Sequence, residues 1–184
     1  MVEAANKSKS TLTFDKIYKK MIKDMPGKTV SRKDPAHLSG AEAIQITPYA
    51  GAKSLVFRCK VHSKDRKRRY NVVIQFLDVN FAAKPQGSGW SKVEYKDKTF
   101  YFEKPSFFKN PVRIRCGCQD FKQRFAWANK AVSCLAGGAP AKYRRKTPPP
   151  PKGRPYVNPD GIPGMCYHIF QVAKGLEKWT TLMR

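Results

Sequence analysis

Val112-Arg113-Ile114-Arg115-Cys116-Gly117-Cys118-Gln119-Asp120-Phe121 is the stretch on which the fold turns. Val112 and Ile114 alternate with arginines, the pattern of a strand with one buried face. Successive side chains of a strand point to opposite faces, so Cys116 and Cys118 share a face one pleat apart. Gly117 between them adds freedom for a tight corner that turns both sulfurs toward one point. A matching pair follows after 47 intervening residues, in Ile162-Pro163-Gly164-Met165-Cys166-Tyr167-His168. Pro163-Gly164 reads as a turn feeding a helix. Cys166 and His168 then fall near its first turn, where the helix dipole favours a thiolate. Cys116, Cys118, Cys166 and His168 together offer three thiolates and an imidazole, the donors that Zn2+ prefers in closed tetrahedral sites. The alternative is three buried cysteines and a core histidine.

The spacing Cys-x-Cys, long spacer, Cys-x-His resembles the SWIM-type zinc finger over about the last third of the chain, with all four ligand positions filled. The words Arg115-Cys116-Gly117-Cys118-Gln119-Asp120-Phe121, Arg145-Lys146-Thr147-Pro148-Pro149-Pro150-Pro151 and Ile162-Pro163-Gly164-Met165-Cys166 look like SWIM-like proteins of large tailed bacteriophages. The resemblance implies a phage protein, made in the host cytoplasm and carried in the virion beside other virion proteins. It implies no activity.

The 184 residues suffice for one substantial domain with extensions, and 41% hydrophobic residues can build its core. Lys and Arg outnumber Asp and Glu by 37 to 13, a net charge of +24. Solubility alone does not require that excess, which points to a polyanion such as DNA or RNA, or to acidic neighbours in an assembly. An odd cysteine count (Cys59, Cys116, Cys118, Cys134, Cys166) without an apolar leader argues against a secreted disulfide scaffold. No apolar run reaches the roughly 18 residues of a membrane span.

Upstream, residues 1–12 read as a flexible tail, and Thr13 caps a predicted helix over 14–24. Phe14, Ile17, Tyr18, Met21 and Ile22 recur at helical spacing, with lysines on the remaining surface. That helix either packs on its own domain or docks on phosphates. Residues 25–40 read as a loop. Ile44 and Ile46 lie in a strand that Pro48 should interrupt. Leu55, Phe57, Cys59 and Val61 form the buried face of the next strand, opposite Arg58 and Lys60. Cys59 and His62 have ligand-like spacing, but no second local pair completes a site. A strand over 70–79, a hairpin through Asp97-Lys98, a helix over 119–131 and a last helix over 165–179 follow. Cys134 reads as packing.

Two basic segments are candidate contacts for nucleic acid or for an acidic partner. Lys64, Arg66, Lys67, Arg68 and Arg69 crowd one hairpin turn. Lys142, Arg144, Arg145, Lys146, Lys152 and Arg154 decorate an acid-free segment around Pro148–Pro151, which predicts a stiff polyproline II arm. Both also read as solvated loops.

The fold expected is α+β. A basic extension with a short helix (1–40) precedes an antiparallel β segment (41–115). A zinc-tied helical segment (116–184) with a proline-rich basic arm at 142–163 packs against it. Catalysis has no visible machinery. His37 lies in a loop with no sequence-visible triad, and Gly-x-Ser-x-Gly, phosphate-binding glycine loops and His-Glu-x-x-His are missing. No small-molecule substrate is expected. The sequence predicts a non-enzymatic, zinc-stabilised structural subunit of a phage particle, or alternatively a nucleic-acid-binding protein of the infected cell.

Overall fold

A computed structural model describes residues 10–25, 41–63, 67–141 and 158–182 of the chain. Helix α1 (Phe14–Asp24) starts where the sequence predicts. The Thr13 hydroxyl accepts from the N–H of Lys16 at 3.3 Å, satisfying one of the amides a helix start leaves unpaired. Phe14, Ile17 and Met21 are buried, so the apolar stripe packs on the protein's own core and the lysines keep to solvent.

Strands β1 (Ala41–Tyr49), β2 (Ser54–His62) and β3 (Arg69–Phe76) follow. Next come β4 (Phe81–Ala82), β5 (Trp90–Tyr95), β6 (Lys98–Glu103) and β7 (Val112–Cys116). Two short helices, α2 (Gln119–Arg124) and α3 (Ala126–Ala131), precede the long α4 (Tyr167–Leu182). β1, β2, β3 and β7 form one sheet in that order, antiparallel throughout, while β4, β6 and β5 form a second. The architecture is therefore mixed α+β with antiparallel sheets.

Register explains the core. Cys59 lies opposite Val72, which lies opposite Cys116; Phe57, Ile74 and Ile114 form the next row. All six are buried. α4 crosses β2, β3 and β7 and buries Ile169, Val172 and Leu176 in the same core, joined by Met165 from the segment before it. α1 joins it there: the Met165 N–H donates to the Met21 sulfur at 3.4 Å, and the rings of Tyr18 and Phe170 stack at 5.0 Å.

Several boundaries differ from expectation for local reasons. β1 continues through Pro48, opposite Leu55. β1 is the terminal strand of its sheet, where a residue without N–H breaks no ladder. β3 stops at Phe76 because Asp78 takes φ +54° and Leu77 donates instead to the carbonyl of Pro111. The helix expected over 119–131 breaks at Phe125, whose φ of −116° leaves the helical range. Ser10 to Leu12 are not a free tail. The Val112 N–H donates to Leu12, and the Ser10 hydroxyl, itself buried, donates to the Val112 carbonyl at 3.1 Å.

The contacts assigned to Lys64, Arg66, Lys142, Arg144, Arg145, Lys146, Lys152 and Arg154 lie outside the described residues, as do His37 and Pro148–Pro151. Lys67, Arg68 and Arg69 are described and exposed. Among the described residues, no helix is long and apolar enough to cross a membrane.

Candidate metal centre

Cys116 ends β7 with its side chain on the core face, in register with Val72. The ladder extends one step further, since Gly117 N–H donates to the Asn71 carbonyl at 2.9 Å. Cys118 then caps α2, its sulfur accepting from the Phe121 N–H at 3.3 Å, while Cys116 accepts from the Cys118 N–H at 3.4 Å. The strand-to-helix corner thus aims two amide donors at the two sulfurs. Gly117 is not among the described glycines with positive φ, and a methyl on it would lie 3.7 Å from the nearest atoms. The corner therefore does not depend on glycine's freedom, contrary to the sequence reading.

The second pair arrives by a different route. Residues 158–166 carry no helix or strand, and two amide side chains bind their backbone. Asn129 is fully buried, donates to the Gly164 carbonyl at 2.9 Å and accepts from the Gly164 N–H at 2.9 Å. Asn158 donates to the carbonyls of Arg124 and Ile162, both at 2.8 Å, and accepts from the Ile162 N–H. A methyl on Gly164 would meet the Phe125 ring at 2.5 Å, so glycine is required there for space. Cys166 directly precedes α4, its carbonyl accepting from the Phe170 N–H, and His168 lies in the first turn.

The ligand atoms of Cys116, Cys118, Cys166 and His168 all lie within 4.8 Å of one another. His168 Nδ1 is 3.9 Å from the sulfurs of both Cys116 and Cys166. A tetrahedral ion with bonds of about 2.0–2.3 Å places its ligands about 3.5–3.8 Å apart, so a small contraction suffices to hold a metal ion. The three cysteines are buried and the histidine half-buried. The His168 ring also packs on that of Tyr70, with centroids 4.7 Å apart.

The thiols share their protons unevenly. Hydrogen bonds from Cys116 and then Cys166 hold the Cys118 thiol far below its usual range. Cys116 is pushed up to about 12, first by its bond to Cys118. Cys166 is raised too, first by burial and then by the neighbouring thiols. The thiolate therefore settles on Cys118, not on Cys166 at the start of α4. A divalent cation held by these residues would take the place of the protons on the other two.

Asp120 stands beside the cluster, its carboxyl raised by burial against the opposing pull of Arg124, to which it is paired at 3.0 Å. Cys59 and Cys134 lie apart from the cluster. Burial pushes the Cys59 thiol up to about 11, and Cys134 sits fully buried with its sulfur 3.1 Å from the Ser10 hydroxyl oxygen. Both pack, as the sequence suggests. Asn129 and Asn158 escape the sequence reading. The signal for Asn129 is its place at four-residue spacing after Phe121 and Phe125, a polar residue on a buried stripe.

No protein family, curated protein or solved structure matches this chain.

Proposed function

We propose that the chain is a non-enzymatic structural subunit of a bacteriophage particle, stabilised by one Zn2+ on Cys116, Cys118, Cys166 and His168. The observation that carries the metal reading is the convergence of these four donors from opposite ends of a long spacer. Three sulfurs and one imidazole nitrogen suit zinc better than the oxygen-loving cations. Four protein ligands, three of them buried, fill the coordination sphere and leave no position for substrate or activated water. The ion then joins the end of β7 to the start of α4. The phage setting and the partnership with other virion proteins rest on the resemblance of the sequence words around both pairs. Elemental analysis of purified protein should find one zinc per chain, and mass spectrometry of purified particles should find this chain among the virion proteins. Protein without metal overturns the first statement, and particles without this chain overturn the second.

The net charge of +24 favours a second reading, a nucleic-acid-binding protein of the infected cell. Binding of nucleic acid by the free protein, together with absence from particles, would select it.

A further inference from the structure

Arg58, Lys60, Arg69, Arg113 and Arg115 are all the lysines and arginines of the four-stranded sheet, and register places every one of them on the same face. It is the face away from α4. Cys59, Val72 and Cys116 alternate onto the core side, while Arg58 lies opposite Val73, which lies opposite Arg115.

The face is not uniform. Toward β7 its cations are engaged. Arg113 donates to the Ser133 carbonyl at 3.3 Å, and Arg115 donates to the carbonyls of Ala136 and Gly138. At one end the surface closes over, with Ser54, Val56 and Thr47 buried. In between, Gln45, Arg58, Lys60, Arg69 and Asn71 are exposed. Arg58 donates to the Thr47 hydroxyl at 3.0 Å, which steadies the side chain without neutralising it. The only acid in these strands is Glu42, in register with Lys60 at the sheet edge. Lys67 and Arg68, just before the start of β3, add further exposed positive charge.

We infer that this open face, centred on Arg58, Lys60 and Arg69, binds the phosphate backbone of a duplex nucleic acid. Positive charge concentrated on one sheet face matches a polyanion. Single-stranded recognition on a sheet uses aromatic rings as stacking platforms, and the middle of this face offers Val73 instead. Its rings lie at opposite ends, Tyr49 at a corner opposite Ser54 and the half-buried His62 opposite Arg69, rather than across its middle. A duplex keeps its bases stacked inside and presents phosphates, which is what cations alone can read. The inference deepens the nucleic-acid reading above and is independent of the metal.

The test uses the whole protein and a short DNA duplex of arbitrary sequence. Binding by fluorescence anisotropy should weaken steeply with salt. The triple variant R58Q/K60Q/R69Q should flatten the slope of log affinity against log salt by about two to three, since each lost phosphate contact removes about 0.9. Its affinity at about 0.1 M salt should fall at least about tenfold. The charge-matched variant K92Q/K96Q/K98Q, on exposed positions of the second sheet and its β5–β6 turn, should change affinity less than about twofold. Amide shifts of the unaltered protein on adding duplex should cluster in β2 and β3, a readout free of any folding defect in the variants. Duplex binding with equal losses in both variants, or with shifts confined to other elements, overturns the assigned face while leaving a nucleic-acid role standing. No duplex binding at low salt overturns both. Tighter binding of single strands than of duplex overturns the choice of ligand.

Discussion

The two halves of the Cys/His cluster are positioned by different physics. Cys116 and Cys118 are placed by local rules: strand parity, one further ladder bond at Gly117, and a helix cap within the next three residues. Cys166 and His168 follow a segment without helix or strand, whose backbone amides and carbonyls are bonded by Asn129 and Asn158 from over thirty residues away in one case and from within the segment in the other. A pair built on regular structure can tolerate side-chain change around it. A pair delivered by irregular chain depends on particular side chains to satisfy its buried polar groups.

That contrast can be broken or sharpened by experiment. The largest effect should come from removing the proposed ion that would join the halves. Stripping metal with a chelator, or the Cys166→Ser substitution, should lower the melting temperature by at least about 10 °C, some 3–5 kcal/mol for a chain of this size. An unchanged melting curve would show that the two halves hold together without a metal.

Proton linkage comes next. Cys116, at about 12, and the raised Cys166 are protonated at neutral pH, whereas the depressed Cys118 is already ionised. Metal uptake near neutrality should therefore release about two protons, and apparent affinity should rise about a hundredfold per pH unit, weakening as pH falls. Titration calorimetry in buffers of different ionisation enthalpy counts those protons. Release of none would contradict the sharing pattern.

Within the second half, Asn129→Ala leaves the N–H and C=O of Gly164 buried without partners, and chemical denaturation should register a loss of about 2–3 kcal/mol. Gly164→Ala pushes a methyl into the Phe125 ring and should cost about 1–3 kcal/mol. In the first half, Gly117→Ala meets only ordinary van der Waals contacts and should shift stability by no more than about 0.5 kcal/mol. Equal losses at the two glycines would erase the distinction.

The same contrast accounts for what could be read in advance. The strand of Leu55, Phe57, Cys59 and Val61, the Thr13 cap, the existence of the β5–β6 hairpin (which turns at Lys96-Asp97, one residue before the expected Asp97-Lys98) and the apolar stripe of α4 follow from periodicity and capping chemistry, which act within a few residues. The four clustered residues were visible because thiol and imidazole spacing is a local pattern even when the pairs are far apart. Hidden were features set by contacts distant in sequence. Ser10 reaches Val112 and Cys134, and Asn129 reaches Gly164. Gly164 was read as a turn residue when its role is to leave room for Phe125. The one-sided charge of the sheet needed the register, since β2, β3 and β7 had first to be paired before their cations shared a surface.

The Met21–Met165 contact spans 144 residues, and it carries a consequence for the chain during synthesis. α1 leaves the ribosome well before the residue that packs against its Met21, which is made 144 residues later. At about 5–20 residues per second, its apolar stripe waits roughly 7 to 30 seconds for its partner. The lysines that ring that stripe keep the waiting helix soluble and mutually repelling, so nascent chains on neighbouring ribosomes have less tendency to adhere before each can close on itself.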